Sequence, residues 1–170
     1  MYMKRKLFVC ALAAVALLSG CGTLRESPEE QARVAAQVER RLDARSFRVD
    51  IESMQPLRGP RQILNTPYAI VIHDDRINSH LPYRGVAYEV PYGGGKVLTF
   101  EDDIQTYRDY PQGDRRVVDL VVDNEEDILR YHFEIFPNGK VSLHVDARNR
   151  QSIDYTGRVN PDFDPAEKKK

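Results

Sequence analysis

Cysteine is scarce in this sequence of 170 residues, and its positions exclude several kinds of site. Only two cysteines occur, Cys10 and Cys21, and both lie close to the N-terminus. The remainder of the chain therefore has no thiol for a disulfide, a thiolate metal site or a cysteine nucleophile. Tryptophan is absent as well, so the aromatic side chains available to a core or a groove are nine tyrosines and six phenylalanines.

Neither sign of charge dominates the composition. The chain has 25 basic and 26 acidic residues, a net charge of −1, and 22 basic residues remain against 26 acidic ones once basic residues 4–6 are set aside. Recognition of nucleic acid needs a basic patch or stripe, and anionic lipid attracts clusters of lysine and arginine. The composition therefore argues against nucleic acid as a partner and gives no sign of electrostatic docking on anionic lipid.

The common catalytic signatures are also missing. The sequence contains neither a Gly-x-Ser-x-Gly elbow nor a His-Glu-x-x-His pair. Residues 93–96 read Gly-Gly-Gly-Lys, but no serine or threonine follows the lysine and no helical pattern follows the glycines, as a phosphate-binding loop requires. The acidic residues at 74–75 and 101–103 lack the alternating spacing of a calcium loop. The sequence therefore predicts neither an enzyme nor a bound cofactor.

Long apolar runs are limited to the N-terminal region. Residues 7–18 form an uninterrupted apolar stretch behind basic residues 4–6, which is typical of a secretory signal and too short for a bilayer span of roughly 20 residues. Residues 18–21 read Leu-Ser-Gly-Cys and resemble the lipobox of bacterial lipoproteins. We therefore predict a signal peptide over residues 1–20, palmitate-type lipid on Cys21 and a membrane tether over 21–26. The alternative is an ordinary signal peptide with a chance cysteine at the cleavage site.

One amphipathic helix is predicted after the tether. Ser27 is suited to the N-cap, with Pro28 at the first helical position and Glu30 three residues after the cap. Apolar residues then recur at helical spacing up to about Ala44, namely Val34, Ala35, Val38 and Leu42. Such a helix is expected to cover one face of a sheet.

From Phe47 onward the apolar period is two, which is typical of half-buried strands. Turn residues separate nine such segments, Phe47–Ile51, Tyr68–Ile72, Arg76–Leu81, Val86–Tyr92, Lys96–Phe100, Arg116–Val122, Leu129–Phe136, Val141–Ala147 and Ser152–Val159. The predicted fold class is mainly β (α+β), with an antiparallel, curled sheet of about eight or nine strands that forms a sandwich or a partly open barrel. We expect one domain over residues 27–159 and a disordered tail over 160–170.

A single hairpin has a register that the sequence can define. Residues 136–140 read Phe-Pro-Asn-Gly-Lys, which suits a three-residue loop with a type I turn followed by a left-handed glycine. This loop places apolar residues on one side of the hairpin and polar residues on the other, whereas a two-residue loop would mix them on both sides. His132 is then predicted to lie directly opposite His144 on the polar side.

The two facing histidines are a candidate metal site. Imidazoles on paired strands have Cβ atoms roughly 4.5–5.5 Å apart and could share a zinc or nickel ion, with Glu134 or Asp146 as a third ligand. The alternative is that His132 and His144 are two solvated side chains on an exposed face. His73 and His80 lie beside the acidic turn at residues 74–75, and nothing in the sequence places them near this pair.

Tyrosines between residues 81 and 92 are candidates for a ligand groove. Tyr83 and Tyr92 could line a groove for a sugar or a peptide, although filling of the core is the alternative for both. Tyr88 shares its parity with Val86 and Val90, so we predict that Tyr88 points into the core.

The same region carries a family resemblance. Residues 81–88 (Leu-Pro-Tyr-Arg-Gly-Val-Ala-Tyr), 91–93, 136–140 and 153–157, together with Phe100, resemble domain-of-unknown-function family 4251, which consists of small exported Bacteroidetes lipoproteins. The resemblance spans nearly the whole chain after the tether. It implies export and lipid attachment, and it supplies no catalytic residue because the family has no assigned activity.

Two functional hypotheses follow. The first is a non-enzymatic lipoprotein that binds an envelope protein, a peptide or a glycan, and the second is a metal-dependent hydrolase or metal carrier that uses His132 and His144. A purely structural role in the envelope is the remaining alternative. Residues 22–25 lack the acidic run that can mark display on the cell surface, so we expect the periplasmic side of the outer membrane.

Overall fold

The structure is a computed structural model that describes residues 27–88 and 98–165. The chain divides into two units, residues 1–30 and 31–170. Of the first unit the structure describes only residues 27–30, which form the cap and first turn of helix α1 (Pro28–Asp43). The Ser27 hydroxyl oxygen accepts a hydrogen bond from the Glu30 backbone N–H at 3.2 Å, as an N-cap does. The predicted helix and its cap are therefore confirmed.

Nine strands follow the helix in the described chain. They are β1 (Ser46–Pro56), β2 (Gln62–His73), β3 (Arg76–His80), β4 (Thr99–Asp103), β5 (Thr106–Gln112), β6 (Arg115–Asp123), β7 (Ile128–Ile135), β8 (Lys140–Ala147) and β9 (Arg150–Val159). They form one sheet in the order β4-β3-β2-β1-β9-β8-β7-β6-β5. All the neighbouring pairs are antiparallel, which confirms the predicted mainly β fold.

The sheet curls because its two edge strands are consecutive in sequence. Only Ile104 and Gln105 connect β4 to β5, so the two edges must come close together at that point. The Ile104 backbone N–H donates to the Asp75 carbonyl oxygen at 2.7 Å, and the Gln105 N–H donates to the Val121 carbonyl oxygen at 2.9 Å. This connection therefore contacts both halves of the sheet and holds it as a half-barrel.

The core occupies the concave side of the half-barrel. Alternate residues of β1, β7, β8 and β9 are buried there, and Val38 and Leu42 of α1 are buried in the same cluster. Phe47 and Phe133 meet edge to face, with ring centroids 6.3 Å apart. Helix α1 therefore covers one end of the concave face, as the amphipathic pattern predicts.

Arg116 links the helix to the sheet by hydrogen bonds. Its guanidinium lies 2.6 Å from Glu39 and 3.1 Å from Asp43 of α1, and its Nε donates to Asp109 of β5 at 2.9 Å. The pKa of Arg116 is raised above its usual value, mainly by the hydrogen bonds with Asp109. Arg116 therefore stays charged and neutralises the inward-facing carboxylate of Asp109.

One observed strand was not predicted from the sequence, and one predicted strand lies mostly outside the described residues. Strand β5 was missed because its inward positions carry Tyr107 and Asp109 rather than aliphatic residues, so the segment lacks an apolar alternation. Of the predicted strand at Val86–Tyr92 the structure describes residues 86–88, where Ala87 forms an isolated bridge with Arg150, and residues 89–92 lie outside the described residues. Tyr88 is 67% exposed rather than in the core, because the chain runs along the end of the half-barrel here and not within the sheet.

The C-terminal segment after β9 is described as far as Pro165. The Asn160 backbone N–H donates to the Arg48 carbonyl oxygen at 2.8 Å, and its side-chain amide donates to Asp50 at 3.0 Å. Residues 160–165 thus lie against the outer face of β1. A disordered tail stays a prediction for residues 166–170, which lie outside the described residues.

Helix α1, the helix within the described residues, has 16 residues and is not long and apolar enough to cross a bilayer.

Candidate functional site

The β7–β8 hairpin has the predicted register. The Phe136 N–H donates to the Lys140 carbonyl oxygen at 2.9 Å, and Gly139 adopts a φ of +77°, in the left-handed region that favours glycine. His132 is paired with His144 across the two strands. The prediction that these two histidines face each other is confirmed.

The two histidines belong to a row of four residues that runs across neighbouring strands. Asp119 of β6 is paired with His132 of β7, and His144 of β8 is paired with Asp154 of β9. Nδ1 of His132 lies 2.6 Å from Asp119 Oδ1, and Nδ1 of His144 lies 2.6 Å from Asp154 Oδ1. We call this Asp119–His132–His144–Asp154 arrangement the aspartate–histidine row.

The carboxylates expected as third metal ligands have other partners. Glu134 accepts a hydrogen bond from Arg115 at 2.8 Å, and Asp146 accepts one from Arg130 at 3.4 Å. The structure therefore places the two aspartates of the row, and not Glu134 or Asp146, on the ring nitrogens.

His73 and His80 lie on β2 and β3, in the other half of the sheet. Nδ1 of His73 lies 3.1 Å from the Ser46 hydroxyl oxygen, and the His80 ring lies against Tyr68, with centroids 5.2 Å apart. Within residues 27–88 and 98–165, no group of three or more His, Cys, Asp or Glu side chains is arranged to hold a metal ion.

An open groove of about 650 Å³ lies on the outer face of β1–β4. Strand β2 contributes Ala69 and Val71, β3 contributes Asn78 and His80, and the C-terminal segment contributes Phe163. The groove combines small apolar side chains with an amide, an imidazole and an aromatic ring. Such a surface suits a polar ligand that also has an apolar or ring face.

The other sequence-predicted site residues lie elsewhere or outside the described chain. The Tyr83 hydroxyl donates to the backbone oxygen of Gln151 at 3.0 Å, its ring packs against the core, and burial raises its pKa. Tyr83 is not among the residues around the groove. Tyr92 and Cys21 lie outside the described residues, so their roles stay predictions.

Two buried phenols bind β3 and the segment that follows it. The Tyr131 hydroxyl donates to the Ser79 hydroxyl at 3.2 Å, and the Tyr155 hydroxyl donates to the Pro82 carbonyl oxygen at 2.7 Å. Burial raises the pKa of both phenols, so both stay neutral donors.

Burial also raises the pKa of Tyr107 of β5 to about 12, and the Asp109 carboxylate adds to that shift.

A buried ion pair lies at the turn between β8 and β9. Asp127 and Arg150 are both buried, with Arg150 Nε 3.3 Å from Asp127 Oδ2. Asp127 also accepts from the Asn149 backbone N–H at 3.2 Å. Sequence reasoning missed this pair because Asp127 resembles an ordinary acidic turn residue, and the pairing depends on two turns coming together.

The geometry defines a class of protein, a curled antiparallel half-barrel with one helix on its concave side and polar side chains on its outer face. The model of a family described as "Domain of unknown function (DUF4251)" matches residues 29–159, and the chain belongs to that family. No curated protein matches the sequence.

A solved structure has a similar fold. It is the crystal structure of a DUF4251 family protein from Bacteroides eggerthii DSM 20697, which is 12% identical. The TM-score is 0.60, and the match covers 76% of this chain and 89% of that chain. At this identity the likeness concerns the fold.

Proposed function

We propose that this chain is a lipid-anchored, non-enzymatic binding module of the bacterial cell envelope. Its sequence begins with basic residues 4–6 and an apolar run over 7–18, followed by Ser19, Gly20 and Cys21. These features are those of an export signal that ends at a cysteine available for lipid. Lipid on Cys21 then tethers the domain to the outer membrane on its periplasmic side.

Binding is assigned to the outer face of the half-barrel. The concave face is filled by buried side chains such as Phe47, Phe133 and Tyr155, which leaves little room for a ligand there. The groove of about 650 Å³ on the outer face of β1–β4 is the single observation that carries the binding role. Its volume is in the range of small-molecule sites.

The groove suits a peptide or glycan segment of the envelope. Val71 offers apolar contact and Phe163 an aromatic ring, and planar rings pack against the apolar faces of sugars and side chains. Asn78 and His80 offer hydrogen bonds beside these apolar surfaces. Purified peptidoglycan sacculi contain both glycan and peptide and are therefore a suitable probe.

Filling the groove should weaken retention on sacculi. We expect the Val71→Trp protein to need about tenfold more sacculi for half-maximal co-sedimentation than the wild type, because the new ring occupies the groove. The matched control is Val121→Trp, since Val121 is also a half-buried valine on the outer face but lies on β6. Failure of the wild type to bind, or equal weakening by both variants, would contradict a role of this groove in binding sacculi.

Metal binding is a second candidate function, and the aspartate–histidine row favours it. Both imidazoles are exposed and both are held by a carboxylate, which is a common arrangement of metal-ligating histidines. A carrier or sensor role fits two ligands better than a hydrolase role, because catalytic zinc sites usually have three protein ligands.

A further inference from the structure

We infer that His132 and His144 form a two-imidazole site for a divalent transition-metal ion on the outer face of β7 and β8. The inference rests on the second proposed function, metal binding, and names the residues and the ion class for it, and it does not depend on the groove on β1–β4. It does not depend on lipid attachment at Cys21.

The aspartates determine which ring nitrogen is available. Nδ1 of each histidine is engaged by a carboxylate at 2.6 Å, so Nε2 is the remaining donor atom of each ring. Metal-ligating histidines usually donate their other ring N–H to a carboxylate or a carbonyl, which fixes the tautomer and orients the ring. Asp119 and Asp154 provide this second contact to both members of the pair.

The strand order turns the two rings toward each other. Asp119 lies on the far side of His132 from His144, and Asp154 lies on the far side of His144 from His132. Both Nδ1 atoms therefore face away from the pair, and the opposite ring edge, which carries Nε2, faces the other histidine. Paired residues have Cβ atoms about 4.5–5.5 Å apart, a spacing that lets two Nε2 atoms reach one ion.

The surroundings of the pair suit a cation that keeps some of its water. The side chains of His132 and His144 are 42% and 46% exposed. Asp119 is further held by the Tyr110 hydroxyl, which donates to its Oδ2 at 3.1 Å. Two aspartates offset the charge of a divalent ion, and the arginine beside His132 on the same strand, Arg130, is already paired with Asp146.

The donor set selects the class of ion. Two neutral imidazoles favour copper, nickel and zinc, and in the usual order of affinities Cu²⁺ binds most tightly. Calcium and magnesium prefer oxygen ligands and are not expected here. Water, or a group from a binding partner, would complete the coordination of the ion.

Copper titration of the full chain tests the site. The protein is purified in detergent with Cys10→Ser and Cys21→Ser, so that no thiol competes for copper, and binding is followed by calorimetry and electron paramagnetic resonance. We expect one Cu²⁺ per chain with two nitrogen ligands. His132→Ala with His144→Ala should weaken the affinity at least about tenfold, whereas the matched double variant His73→Ala with His80→Ala should bind as the parent does.

Variants of the two aspartates test whether the histidines form an organised metal site or only happen to lie side by side. Asp119→Asn with Asp154→Asn keeps both imidazoles but removes their charged partners, and we expect the affinity to fall by about 10- to 100-fold. If the double histidine variant does not fold, His144→Ala alone is expected to weaken binding at least about tenfold. Unchanged copper affinity in the histidine variants, or equal loss in the His73 and His80 control, would overturn the inference. Because both cysteines are replaced, such a failure leaves the proposed tether untouched.

Discussion

Replacing Gly157 with alanine should lower the free energy of unfolding by about 3 kcal/mol. Gly157 of β9 is paired with Ile51 of β1, beside the register shift between Ile51 and Ser53. A Cβ atom at position 157 would collide with the Asp50 carbonyl oxygen and would also press on the Ile51 backbone. Backbone cannot rotate away as a side chain can, so the β1–β9 pairing in the middle of the sheet must shift.

The matched control is Gly113→Ala, in the turn between β5 and β6. Gly113 has a φ of +63°, but a Cβ atom there would meet nothing within 4 Å. We expect this variant to lose only about 1–2 kcal/mol, which is the cost of a left-handed residue with a side chain. Urea denaturation of the wild type, Gly157→Ala and Gly113→Ala gives the free energy of unfolding of each protein. Wild-type stability for Gly157→Ala, or a larger loss for Gly113→Ala, would show that the close approach of β1 and β9 is not as described.

Replacing Asp127 with alanine should cost about 3–5 kcal/mol of stability, because the buried charge of Arg150 loses the one carboxylate that is hydrogen-bonded to it. Both side chains are buried, and Asp127 is also the acceptor for the Asn149 backbone N–H. Glu126 Oε2 forms an ion pair with Arg150 Nη2 at 3.9 Å without a hydrogen bond, so Glu126 keeps part of the charge compensation but does not replace the hydrogen bond from Arg150 Nε to Asp127.

Two further variants test whether the buried charge of Arg150 causes the expected loss of stability in Asp127→Ala. Asp127→Leu combined with Arg150→Met removes both charges, and we expect it to be more stable than Asp127→Ala, since a buried ion pair can be exchanged for apolar groups at little cost. Asp146→Ala breaks the exposed pair with Arg130 and should change stability by about 1 kcal/mol or less. The thermal unfolding midpoints of the wild type and the three variants rank these proteins by stability. Equal losses for Asp127→Ala and Asp146→Ala would argue against a buried charge at Arg150.

Local chemistry explains which elements the sequence could predict. Ser27 and Pro28 predict the start of the helix because capping depends on a few adjacent residues. The Pro-Asn-Gly loop predicts the pairing of His132 with His144 because turn type and apolar parity both constrain the register of a hairpin.

Features that depend on distant residues could not be predicted in this way. The curl of the sheet depends on the proximity of β4 and β5, which lie at its opposite edges. The polar strand β5 is stabilised at Asp109 by Arg116, which also reaches the helix. Asp119 and Asp154 become partners of the histidines only through the registers of β6 with β7 and of β8 with β9.

The prediction for Tyr88 failed for a related reason. Alternation with Val86 indicated a strand with one face in the core, but alternation alone does not say whether a sheet has room for that strand. The concave face at this end is already occupied by Tyr131 and Tyr155, whose hydroxyls bind Ser79 and Pro82. Val86 and Tyr88 are therefore 54% and 67% exposed.

The mass of the N-terminal peptide of the mature protein tests the proposed envelope tether most directly. The protein would be purified from the membrane fraction of a bacterium that processes lipoproteins, digested, and analysed by mass spectrometry beside a Cys21→Ser variant. We predict a first peptide that begins at Cys21 and carries fatty acyl groups, and we predict the loss of that peptide in the variant. A mature chain that begins at another residue, or an unmodified Cys21, would contradict a lipid-anchored module.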